Sequence, residues 1–342
     1  MANGASSPAV GARGPGQAAP ATPVDLRPLT TSELIDRGFS LYRAHFAGFL
    51  LLALLCQSTP LLNQILVTAF KLNLSQSELF GNPTAAFGKL SIVMGMGLVS
   101  HLIVFCFEVI ITFYVADAYL GKTPSVSDSV RKITTRLAPS LWTCALNLLL
   151  IGLSMIFPIL TISAAYLYEV CYPPVEFLSI LLFAVVTFLV FVVSLAPVLI
   201  VFMRLWVTTS VVALEGLSGW KAARRSSQLV RYDPGLGVLY WGEMRLSFLL
   251  LPLFIIELLI LSLTSLPIIL FQVSEVLRHG SGGPMALPPD STVIISQIML
   301  FLAVSLIVPL YPIATTLFYY DIRIRREGFD LEFMAGKLGD AS

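Results

Sequence analysis

The sequence predicts an all-α, polytopic integral membrane protein with six transmembrane helices, arranged as three repeats of an interfacial amphipathic helix plus a transmembrane hairpin. Three observations carry this. The chain has 342 residues, of which 56% are hydrophobic and 12% charged, too apolar a balance for a soluble globular protein. Six stretches reach the about 20 apolar residues that a helix needs to cross roughly 30 Å of hydrocarbon. Nearly all basic residues fall in every second connection between those stretches. Helices are expected because a helix satisfies its own backbone groups in lipid, and the alternating polarity of barrel strands is absent.

The elements follow in order. Residues 1–25 are rich in Ala, Gly and Pro with no apolar core, which predicts a disordered tail and not a signal peptide. The membrane domain covers 26–334, with units at about 30–120, 125–215 and 218–322, and a short tail at 335–342. In the first unit, Thr30 to Glu33 has capping-box spacing, and Leu29 and Leu34 are placed as a hydrophobic staple. The helix so opened puts Glu33, Asp36, Arg37, Ser40 and Arg43 opposite Leu34, Ile35, Leu41, Tyr42 and Phe46, an interfacial pattern. Spans follow at Phe46–Phe70 and Leu90–Leu120. The second unit repeats the device from Ser125, with Asp128, Arg131, Lys132 and Thr135 on the polar face and spans at Leu141–Tyr166 and Phe177–Met203. The third repeats it from Ser218, with Lys221, Arg224, Arg225, Gln228 and Arg231 facing water and spans at Leu246–Phe271 and Val293–Tyr319.

Proline placement fits the alignment. Pro60, Pro158 and Pro252 fall at similar depths in the first spans, Pro197 and Pro309 in later second spans, and each predicts a kink. Two spans per unit make the repeats parallel, which predicts pseudo-threefold packing about the membrane normal.

Charge sets orientation. The N-terminal segment, the second and fourth connections and the C-terminal tail hold most of the Lys and Arg, whereas the other side offers only Lys71, Lys89 and Arg278. The positive-inside rule places both termini in the cytoplasm and the protein in the cell membrane. The net charge of +1 therefore conceals a basic face, which should attract anionic lipids. Membrane lipids and a membrane protein are the expected partners. Nucleic acid is not, since no compact basic domain exists. No close Cys or His spacing suggests a metal site or a disulfide framework, and no cofactor is implied.

Charges inside spans are the first candidates for a site, because each costs about 2.5–3.5 kcal/mol at a helix centre. Glu108 and Glu257 fall near the midplane, and His101 shares a helical face with Glu108. Together they suggest a cation or proton path, or else polar groups that only fix packing. Arg204, Glu243 and Arg245 lie near span ends, where they can snorkel or form an ion pair between the second and third units. Arg131, Lys132, Arg224 and Arg225 are candidate lipid-headgroup contacts, though such residues also simply hold a helix at the surface. Trp142, Trp206, Trp220 and Trp241 read as interface anchors, and Gln57, Asn63, Gln64 and Asn147 as hydrogen-bonding groups between helices. His279 falls in an outer loop. No nucleophile has a motif-placed base.

Four segments carry a family resemblance: LRPLTTSELIDRGFSLYRAHFAGFL from Leu26, AYLGKTPSVSDSVRK from Ala118, LEGLSGWKAARRSSQLV from Leu214 and YYDIRIRREGFDLE from Tyr319. In these the chain resembles the glycerophosphoryl diester phosphodiesterase membrane domain family of bacterial proteins, over roughly Leu26 to Met334. The resemblance implies the membrane module alone. A phosphodiesterase barrel needs about 250 residues, and no soluble stretch approaches that. The expectation is a non-enzymatic module accessory to a partner protein or lipid process. The alternative is a small-solute or lipid transporter using His101, Glu108 and Glu257.

Overall fold

The capping box forms as its spacing requires. Thr30 Oγ1 accepts from the Glu33 N–H at 3.3 Å, and a Glu33 carboxylate oxygen accepts from the Thr30 N–H at 2.7 Å. Between them they open α1 (Thr31–Ala44), with Leu29 and Leu34 both buried at its start. The structure, a computed structural model, describes residues 27–72, 81–171, 177–231, 242–279, 288–332 and 335. The expected tail at 1–25 and Trp241 lie outside the described residues, as does all but one residue of the tail at 335–342.

The described residues are almost wholly helical, with no strand among them. After α1 come α2 (Phe46–Ala69) and α3 (Pro83–Tyr119). The middle of the chain forms α4 (Val126–Ser154), α5 (Ile156–Cys171), α6 (Phe177–Ser194), α7 (Ala196–Leu205) and α8 (Thr208–Leu214). The last third forms α9 (Gly219–Val230), α10 (Gly242–Thr264), α11 (Leu266–His279), α12 (Asp290–Ile307) and α13 (Leu310–Glu327). Among the described residues six helical stretches are long and apolar enough to cross a membrane. They leave a belt of exposed Leu, Ile, Val and Phe along α2, α3, α5, α6, α10 and α12. So large an apolar surface belongs in lipid and not in water. This is a multi-pass membrane protein.

Two local expectations change, at the second amphipathic segment and at His279. The second amphipathic segment is continuous with its span, since α4 runs unbroken through Pro139. Pro60 and Pro252 sit inside α2 and α10 without ending them, because a proline removes one backbone bond and the neighbouring turns hold. Interruptions beside a proline come at Met155, Leu195 and Val308–Pro309, as Pro158, Pro197 and Pro309 predict, and also at Ser265 before Pro267. Each is followed or occupied by a proline within three residues, and hydroxyls of Ser154, Ser194, Thr264 and Ser305 bond back to carbonyls of the preceding turn. His279 ends α11 instead of lying in a loop.

Packing is uneven along the membrane normal. The buried core gathers in the half that carries the basic residues, from the C-terminal half of α3, from α8 and α9, and from the N-terminal half of α10. At its centre stands α13, buried almost continuously from Leu310 to Ile322. The inner ends of α3, α8 and α13 pack on one another. Toward the opposite side fewer side chains are buried, and α5 and α6 pack chiefly on each other while α12 stays packed on α2 and α10.

The amphipathic helices also differ from a purely interfacial role. Helix α1 packs on α13, α4 on α3, and α9 on α7 and α8. Each therefore covers its apolar face with the second span of the preceding unit, the first unit closing on the third. In α9 that face is made of small residues, Ala222, Ala223 and Ser226, and Ser226 Oγ donates to the Arg204 carbonyl at 2.7 Å. An amphipathic period shows that a face is covered, not whether lipid or protein covers it.

Candidate functional site

Acidic residues end the second spans. Thr112 to Asp117, Ser210 to Glu215 and Thr316 to Asp321 share one spacing, with the acid near the end of the span. Lys132 and Arg225, each seven residues past its cap, reach back to the acid of the preceding unit. Lys132 Nζ donates to Asp117 and lies 5.7 Å from the Phe113 ring centroid. Arg225 holds Glu215 at 2.9 Å and Glu327 at 2.6 Å. Tyr319 donates its hydroxyl to Glu215 at 2.9 Å. In the first unit Arg37 takes the corresponding place but lies over the Tyr119 ring, at 5.2 Å. Asp321 is instead met by Arg245 at 3.0 Å, Arg325 at 2.9 Å and the Leu29 N–H at 2.7 Å.

This redraws two expected groups. Arg204 and Glu243 do pair, at 2.8 Å, and join α7 to α10. Arg245 leaves that pair for Asp321, because burial of Asp321 demands a countercharge that the rim pair does not. Among the candidate headgroup contacts, Lys132 and Arg225 are engaged inside the bundle. Arg131 remains exposed beside Asp128 at 3.5 Å, and Arg224 is exposed with no ionic partner among the described residues. The recurring acids were the missed signal. Their spacing is visible in the sequence, but their partners lie one unit away.

The intramembrane candidates fall into two cavities. A cavity of about 250 Å³ lies where α3, α4, α7 and α13 meet, lined by His101, Glu108, Asn147, Trp206, Thr209 and Tyr311 among others. His101 and Glu108 thus face the same space, as their shared helical face requires. The Glu108 carboxylate has no ion-pair or hydrogen-bond partner among the described residues, and Asn147 Oδ1 is buried without one. Trp206 serves here as cavity wall and not as an interface anchor, whereas Trp142 and Trp220 are well exposed. Volume sets the scale of any occupant. At about 30 Å³ per water in the liquid, the space suits several waters or one small solute.

Glu257 lies elsewhere. It lines a cavity of about 220 Å³ between α2, α10 and α12, with Gln57, Pro60 and Gln297. Its carboxylate accepts the Tyr311 hydroxyl at 2.5 Å. Tyr311 therefore stands between the cavities, its residue lining the first and its hydroxyl bound to an acid of the second. The expected hydrogen bonds between helices from Gln57, Asn63, Gln64 and Asn147 are not made among the described residues, and Asn63 Oδ1 is likewise buried without a partner. No cluster of three or more His, Cys, Asp or Glu that could hold a metal ion occurs among the described residues. All four cysteines are free.

Fold and cavities together define a multi-pass helical membrane protein with polar groups inside its spans. No protein-family model, curated protein or solved structure matches the chain.

Proposed function

We propose that the protein is a non-enzymatic membrane carrier for a small cationic solute, which it binds in the Glu108 cavity. One observation carries the reading: a carboxylate inside a membrane span, facing a solute-sized space, has no countercharge among the described residues. An uncompensated carboxylate there is costly, and a bound cation would offset that cost. His101, Asn147 and Thr209 supply hydrogen-bonding groups around it. In this reading the resemblance to the glycerophosphoryl diester phosphodiesterase membrane domain family extends to the membrane module only. The basic face is cytoplasmic, and the three units are an internal triplication.

The test uses the full chain in lipid nanodiscs, with thermal unfolding followed against methylammonium, ethanolamine, choline and spermidine. At least one should raise the melting temperature saturably in the wild type and fail to do so in Glu108→Gln. If no cation stabilises the protein, or Glu108→Gln responds like the wild type, the reading is wrong.

A second reading, a module accessory to a partner protein, is favoured by the α5–α6 hairpin. It packs chiefly on itself and exposes apolar side chains on all sides. Isolation from native membranes in nanodiscs, with mass spectrometry, would return a stoichiometric protein partner if this reading holds.

A further inference from the structure

We propose that the cavity between α2, α10 and α12 is a second and separate site, for a monovalent cation, whose occupancy Tyr311 relays to the Glu108 cavity. The site is argued from its own groups; only the relay rests on the carrier reading.

Three spans each contribute one oxygen-bearing side chain: Gln57 from α2, Glu257 from α10 and Gln297 from α12. Carboxylate and amide oxygens are hard donors, suited to alkali ions and to ammonium groups. Gln57 and Gln297 have no side-chain hydrogen-bond partner among the described residues. Pro60 lines the same cavity and has no N–H, so the Cys56 carbonyl lacks the donor that position would otherwise supply. Charge selects the valence. Among the described residues lining the cavity Glu257 is the one ionisable group, and one carboxylate neutralises one positive charge. A divalent ion would leave a net charge in hydrocarbon, at a cost that a monovalent ion avoids.

The relay follows from what holds Glu257 now. Its partner is a neutral donor, the Tyr311 hydroxyl. A cation on the carboxylate competes with that donor and releases it. Tyr311 stands in the first turn of α13, directly after the interruption at Val308–Pro309, where the helical bonding is already broken. Its ring is 6.0 Å from that of Trp206, a second wall of the Glu108 cavity. Release of the hydroxyl thus changes the shape and polarity of the first site when the second fills. Such coupling is reciprocal, so a solute beside Glu108 must alter cation affinity beside Glu257 by the same factor.

The experiment measures melting of the full chain in nanodiscs at constant ionic strength. NaCl, KCl or NH4Cl replaces N-methyl-D-glucamine chloride, in a Glu108→Gln background so that only the second site reports. A saturable rise is expected with at least one of the three ions. A response to Na+ or K+ assigns a metal ion, and a response to ammonium alone assigns an amine. Glu257→Gln and the double variant Gln57→Leu/Gln297→Leu should lose the rise. Tyr311→Phe keeps the wall and removes the competing hydroxyl, so it should bind the same ion several-fold more tightly, a gain that misfolding cannot imitate. No saturable response, a response that survives Glu257→Gln, unchanged affinity in Tyr311→Phe, or a response to CaCl2 in place of the monovalent salts would each overturn the proposal. With Glu108 restored, the affinity for whichever of methylammonium, ethanolamine, choline and spermidine stabilises the wild type should depend on the monovalent ion in the wild type and not in Tyr311→Phe. Failure of all four to bind strikes the carrier reading and leaves the second site standing.

Discussion

Asp321 is only 1% exposed, yet it is charged and central. Its oxygens meet Arg245 at 3.0 Å, Arg325 at 2.9 Å and the Leu29 N–H at 2.7 Å. The Leu29 carbonyl, in turn, accepts from both guanidinium groups, at 3.1 and 2.6 Å. One carboxylate thereby ties the segment before α1 to α10 and α13. Removing one partner of a buried charge cluster leaves the others uncompensated, which is more damaging than the cluster is stabilising. Asp321→Asn should therefore lower stability by about 3 kcal/mol, measured by unfolding in mixed micelles. Arg131→Ala is the contrast, since that side chain is 83% exposed and its pair spans one helical turn. It should change stability by less than about 0.5 kcal/mol. Equal effects from the two would show that Asp321 does not tie these elements together.

Helix α1 gives an element-scale consequence of pH. Glu33 is held at about 2, below its ordinary value of 4.5, first by the Thr30 N–H, then by Arg27 and the Thr30 hydroxyl. Its depressed value means that the cap's contribution is present above about 4.5 and is lost as pH falls toward about 2. Amide protection in α1, corrected for the intrinsic pH dependence of exchange, should fall across that window in the wild type, and Glu33→Gln should flatten the change. An unchanged profile in the variant would remove Glu33 as its source. Helix α2 gives a packing consequence. A Cβ at Gly48 would lie 2.1 Å from the Tyr114 hydroxyl of α3, so Gly48→Ala must displace the buried Tyr114 ring from its place against α2. The expected cost is about 1–3 kcal/mol, read in the same unfolding assay. No loss would mean that α2 and α3 do not approach so closely. At this scale the sequence was readable wherever a pattern is local. Thr30 and Glu33 are neighbours in the chain, and His101 and Glu108 share a face of α3, so capping and a common cavity both follow from spacing. Lys132 with Asp117, and Glu257 with Tyr311 across 54 residues, depend on which units adjoin, and no local period encodes that.

The described residues are asymmetric across the membrane, with the buried core gathered at the basic end. Two amphipathic helices, α4 and α9, lock that end through acids of the preceding unit, and the segment before α1 closes the first unit on the third at Asp321. Such a ring holds only if all three basic segments lie on one side, which requires an even number of crossings in each unit. On the positive-inside rule we propose that this side is the cytoplasmic one. Cysteine labelling tests both statements together. Cys171 is exposed at the far end of α5, whereas Cys56 and Cys144 are buried and Cys106 is partly so. A membrane-impermeant maleimide should label the wild type in right-side-out spheroplasts, and Cys171→Ser should abolish the signal. Lys221, exposed on α9, reports the opposite face. In a Cys171→Ser background, Lys221→Cys should be labelled only in inverted vesicles. The reverse pattern would invert the orientation and leave the ring intact. Labelling of both positions from one side would contradict the crossings themselves, and with them the closure through Asp321.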